Sequence, residues 1–115
     1  MRESDLSRLI LIAASDAGHR LFRCNTAQGW AGAVVNRTPD TVTLRNPRPL
    51  FAGLINGGAD LIGWTRAGLF AAIEVKGPGG RSTDAQVRFV QAVKMAGGRA
   101  CVAYSVEEAM ACLNS

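Results

Sequence analysis

Only one histidine and three cysteines occur among the 115 residues: His19, Cys24, Cys101 and Cys112. The cysteines show no CxxC spacing. Zinc sites are built from sets of such side chains, so a zinc centre is disfavoured. Long apolar runs are absent too. Leu9 to Ala14 is far short of the roughly 18 residues a membrane span needs. Met1-Arg2-Glu3 mixes charges, and no small-residue cleavage site follows, so the expected location is the cytoplasm. Neither G-x-G-x-x-G nor G-x-x-x-x-G-K-[ST] is present, which argues against a dinucleotide or nucleotide cradle and hence a small-molecule cofactor.

Lysine is scarce. Of the 13 basic residues only Lys76 and Lys94 are lysines; the rest are arginines. The guanidinium fork suits phosphate. The net charge of +4 is modest and favours nucleic acid only weakly. A hydrophobic fraction of 48% and a charged fraction of 19% fit one globular domain spanning 1–115.

Glu3 to Ala17 has the helical spacing Leu6, Leu9, Ile10, Ala13 and Ala17, with Ser4 as a cap and Gly18 as a stop. His19 at that helix end is expected to complement the helix dipole. His19 to Cys24 alternates as a strand with Leu21 inward. Asn25 to Asn56 carries Pro39, Pro47, Pro49 and several glycines. It reads as irregular, with one short strand at Thr41 to Leu44. Asp60 to Trp64 and Leu69 to Lys76 form a hairpin around Thr65-Arg66-Ala67-Gly68. Gly77-Pro78-Gly79-Gly80 breaks the pattern, and Ser82 or Thr83 caps a helix running to about Ala96. Ala100 to Tyr104 is a buried strand in which Cys101 packs as a small hydrophobe. Ser105 caps a last helix over Val106 to Leu113. This order predicts an α/β sandwich with a mixed sheet.

The charged groups of the hairpin carry the chemistry. Glu74 and Lys76 lie two apart, on one strand face with Phe70 and Ala72. The hairpin turn sets Asp60 beside the Glu74 end of the neighbouring strand. Charges in otherwise apolar strands are costly unless paired or bound to a cation. Two carboxylates hold a hard divalent ion, and a lysine beside it orients water or stabilises charge on a phosphate. The expected activity is that of a small metal-dependent nuclease.

Gly58-Ala59-Asp60-Leu61-Ile62-Gly63, Ile73-Glu74-Val75-Lys76, Thr83-Asp84-Ala85-Gln86 and Gly97-Gly98-Arg99-Ala100 together resemble the VRR-NUC branch of the PD-(D/E)XK nucleases. The likeness is greatest to short stand-alone versions from phages and bacteria and covers about Gly57 to Glu108. Ala59 departs from the proline often found there, at a position that shapes the turn and supplies no ligand. The resemblance implies a restriction-endonuclease-like core with a mixed central sheet flanked by helices. It implies Mg²⁺ or Mn²⁺ held by Asp60, Glu74 and the Val75 carbonyl, with Lys76 as the catalytic lysine. Gln86 is implicated as well, and Glu3 as a further acidic ligand. A structure-selective DNA endonuclease acting on four-way junctions or other branched DNA as a homodimer is the implied activity. A DNA-binding module of the same fold without activity is the alternative. Two readings of Gln86 stay open, since Thr83-x-x-Gln86 also fits a capping box. Glu3 likewise suits the first turn of any helix. Arg81, Arg88 and Arg23 are candidate phosphate contacts. Trp30 suits base stacking, a dimer interface or core packing equally.

Overall fold

Leu6, Ile10 and Ala14 recur every fourth residue, and helix α1 (Glu3–Asp16) buries that stripe. The computed structural model describes residues 1–24, 27–52 and 58–115. Ser4, expected as the cap, lies inside α1; Arg2 holds the cap position without a side-chain bond. Glu3 and Asp5 in the first turn compensate the exposed N–H groups. Gly18 ends the helix at φ +90°. The Gly18 N–H donates to Ser15 O and the His19 N–H to Ala14 O, a Schellman closure.

The strands are β1 (Arg20–Arg23), β2 (Ala27–Arg37), β3 (Val42–Ala52), β4 (Leu61–Trp64), β5 (Phe70–Val75) and β6 (Arg99–Ala103). Helix α2 (Asp84–Met95) joins β5 to β6, and α3 (Val106–Leu113) follows. Four strands form a mixed sheet in the order β1-β4-β5-β6, with β5 and β6 parallel and the other pairs antiparallel. The expected α/β class is thus observed.

Alternation along the strands divides the core between the two sheet faces. Leu21, Leu61, Ala71, Ile73, Val75 and Ala103 pack under α1 and α3. Ala72 and Ala100 face α2 through Val90, with Phe89 and Val93 beside it. Helix α2 lies over β5 and β6, and Ile62 of β4 reaches the same cluster. On this face Phe22 of β1, Trp64 of β4 and Phe70 at the start of β5 are 51%, 50% and 45% exposed. The Phe22 and Trp64 rings stand 5.7 Å apart.

The middle of the chain differs most from expectation. Instead of an irregular segment with a four-residue strand, β2 and β3 are 11-residue antiparallel strands. Pro47 and Pro49 are tolerated because β3 has a partner on one side only among the described residues, so their missing N–H groups break no second ladder there. Two register shifts absorb the remaining irregularity, and Asn46 takes a left-handed φ of 51°. Thr38 closes the connecting turn, its N–H donating to Thr41 O at 2.9 Å. Asn25 and Asn56, the ends of the expected loop, lie outside the described residues. Among the described residues the two strands pair only with each other, and they project as an arm. The molecule accordingly measures 52 × 30 × 27 Å with a radius of gyration of 16.9 Å, against about 13 Å for a compact domain of this length.

His19 departs from its expected dipole role. It is buried, its Nε2 donating to Asn114 Oδ1 at 2.7 Å while its Nδ1 accepts from the Arg66 N–H at 2.9 Å. Both ring nitrogens are thus engaged by partners outside α1 rather than by the carbonyls at its end. His19 ties the ends of α1 and α3 to the β4–β5 turn. Among the described residues, no helix is long and apolar enough to cross a membrane.

Candidate active site

Asp60 immediately precedes β4, and its carbonyl accepts from the Cys24 N–H at 2.7 Å, extending the β1 ladder. Its side chain turns to the neighbouring strand, where Oδ2 accepts from the Val75 N–H at 2.8 Å. The β4–β5 register, Leu61 opposite Ile73, sets Asp60 level with Glu74, as the hairpin geometry predicted.

Glu74 lies on β5 between β4 and β6, on the α2 face. It is 2% exposed, and its Oε2 has no partner. Lys76 follows where β5 ends, its N–H donating to Ala103 O at 3.0 Å. Its ammonium lies 3.8 Å from Glu74 Oε1. That single long contact compensates little of what burial costs a carboxylate. Burial therefore dominates and pushes Glu74 up from 4.5 to about 8. A hydrogen bond to Asp60 and the Asp60 charge push it further, Lys76 opposes them, and Glu3 adds a smaller push upward. Without a cation, a proton does the neutralising.

The glycine turn brackets Lys76. Gly80 lies so close that a Cβ there would come within 3.3 Å of Lys76 Cβ. The Gly80 N–H donates to Gly77 O at 3.0 Å, and Tyr104 Oη donates to Gly80 O at 2.8 Å. Tyr104, the sole tyrosine, thus clamps the turn that shapes the lysine's surroundings. Sequence reasoning missed this residue, because only folding brings the end of β6 against that turn.

Glu3 reaches the same end of the sheet. Its Oε1 accepts from the Gly77 N–H at 3.2 Å. Its charge also reaches Glu74, which it pushes upward. Gln86 is engaged in the helix cap: its Oε1 accepts from the Thr83 N–H at 2.9 Å, and Thr83 Oγ1 accepts from the Gln86 N–H at 3.2 Å. Ser82 is not the cap; its buried Oγ has no partner. Arg81 and Arg88 are exposed and form no ion pair among the described residues. Arg23 is exposed too, but its register opposite Leu61 assigns it to the α1–α3 face, away from Glu74. Trp30 is 66% exposed on the arm, which removes the core reading.

Two facing carboxylates, one buried with an orphaned oxygen, fit a divalent cation better than they fit each other. A cation would take the place of the shared proton and occupy the unpartnered oxygen. A comparison with curated proteins finds no match. The family profile described as the VRR-NUC domain matches residues 15–107, which include Asp60, Glu74, Lys76 and Gln86. The chain therefore belongs to the VRR-NUC domain family, nucleases that act on DNA.

Proposed function

We propose that this chain is a Mg²⁺- or Mn²⁺-dependent endonuclease that hydrolyses DNA phosphodiesters, selects branched DNA and acts as a homodimer in the cytoplasm. The observation that carries this reading is the buried Glu74, facing Asp60 with one oxygen unpartnered and Lys76 beside it. Asp60, Glu74 and the Val75 carbonyl would hold the ion. When bound, it supplies a Lewis acid for a phosphate oxygen and acidifies a water. Glu74 gives up its proton on loading, so metal binding strengthens as pH rises. The Lys76 ammonium orients the attacking water and offsets negative charge growing on the phosphate. Tyr104 and the glycine turn hold the backbone around Lys76 in place. Arg81 and Arg88 are positioned to bind flanking phosphates, with the Arg23 assignment weaker for its face.

Dimerisation is supported by two apolar surfaces that a single chain leaves open. One is the exposed aromatic patch of Phe22, Trp64 and Phe70 on the α2 face of the sheet. The other is the arm, where Trp30, Val34, Val42 and Leu50 are each more than half exposed. An isolated two-stranded ribbon is marginally stable in water, so the arm calls for a covering partner. A two-fold dimer would match the symmetry of a four-way junction.

The test is cleavage of labelled four-way junction, flap and linear duplex with Mg²⁺ or Mn²⁺, wild type beside Lys76→Ala. Metal-dependent cutting that falls by about 100-fold or more in the variant is expected. Junction or flap should be preferred over duplex. Binding without cutting would instead favour the inactive DNA-binding module. A monomer at micromolar concentration would remove the dimer from the proposal.

A further inference from the structure

Cys101 and Cys112 come from β6 and α3, and the fold sets them side by side. Both are half-buried free thiols, and each is the largest single influence on the other's ionisation. They line one open cleft of about 500 Å³, with Lys94 and Arg99 also on its wall. Cys101 lies opposite Ile73 and packs against the α1–α3 core, so the pair occupies the sheet face opposite Glu74. We propose that Cys101 and Cys112 form a redox-active dithiol that a hydroperoxide closes to a reversible disulfide, pinning α3 to the sheet.

The neighbours assign the two sulfurs different roles. The influence of Cys101 and the Lys94 and Arg99 charges favour the Cys112 thiolate over the opposing effect of burial. The influence of Cys112, then burial, pushes the Cys101 thiol up. Cys112 is therefore the attacking sulfur. Its thiolate attacks one peroxide oxygen, the O–O bond breaks, and the leaving oxygen departs with a proton as water or an alcohol. Cys112 becomes a sulfenic acid. The Cys101 sulfur then attacks the Cys112 sulfur, forming the S–S bond and breaking the S–O bond. Hydroxide leaves with the Cys101 proton as water. The two thiols lose two electrons in all, and the peroxide gains them. Cys24, which follows β1, is the third free thiol.

The experiment treats the reduced full-length chain, and its Cys24→Ser form, with hydrogen peroxide. Free thiols, intact mass and peptide maps are then read. The wild type should fall from three thiols to one, and the Cys24→Ser chain from two to none. Both should lose the mass of two hydrogens, give a Cys101–Cys112 linked peptide, and recover with dithiothreitol. Lys94→Gln should slow closure by about twofold, by removing a charge that favours the thiolate. Persistence of both thiols under peroxide that oxidises free glutathione overturns the proposal. So does sulfinic acid at Cys112 with Cys101 still reduced, or linkage through Cys24 in the wild type.

Discussion

Glu74→Gln separates what the site does for activity from what it costs the fold. Glu74 is 2% exposed, has one oxygen without a partner, and is pushed from 4.5 to about 8, chiefly by burial. A carboxyl whose native value lies above its unfolded value binds its proton more tightly when folded. Its contribution to stability is complete below about pH 4.5 and is lost as pH rises through about 8. At about 1.4 kcal/mol per pKa unit, the metal-free protein loses about 4 kcal/mol across that window. Glutamine keeps the shape and cannot ionise. The variant should therefore melt on the order of 10 °C higher than wild type at pH 8 without metal, with little difference at pH 5. Divalent cation should raise the wild-type midpoint at pH 8 and leave the variant nearly unchanged. Cleavage by the variant should fall by 100-fold or more. Calorimetry or circular dichroism at the two pH values, with and without Mg²⁺, measures all but the last. Equal or lower stability of Glu74→Gln at pH 8, or an unchanged pH slope, would refute the reasoning.

Gly63→Ala should destabilise the fold by about 3 kcal/mol, because a Cβ there would overlap the Arg20 carbonyl in β1; a denaturant titration checks it. His19→Ala should cost about 2 kcal/mol by stranding the Arg66 N–H and the Asn114 side chain, measured the same way. Replacing Ala27–Ala52 with a short glycine-serine linker should leave the body folded, since among the described residues β2 and β3 pair only with each other. Its unfolding should remain cooperative by circular dichroism. Sedimentation of this shortened chain should shift from dimer to monomer, as the proposed covering role of the arm requires.

Much of the body was legible because local signals and tertiary packing agree. Thr83-x-x-Gln86 predicts a capped helix, and both halves of that box form. Ser105 caps α3 over the expected residues. Alternation from Phe70 to Val75 separates the face of Glu74 from the apolar face of Ala71, Ile73 and Val75. Local signals failed in the arm. Proline and glycine mark breaks only where a strand is needed on both sides, and β3 has one free edge among the described residues. They failed also for His19, whose partners lie 47 and 95 residues away along the chain.

Which residues carry charge into the central hairpin was readable along the chain, because a two-residue spacing assigns Glu74 and Lys76 to one face and a short turn returns the chain to Asp60. What that charge experiences depends on packing between elements far apart in the chain. Burying β5 between β4 and β6 under α2 removes water from Glu74, and that desolvation, more than any neighbour, makes it hold a proton near neutral pH. The same packing of β6 against α3 joins two cysteines that nothing in their spacing connects.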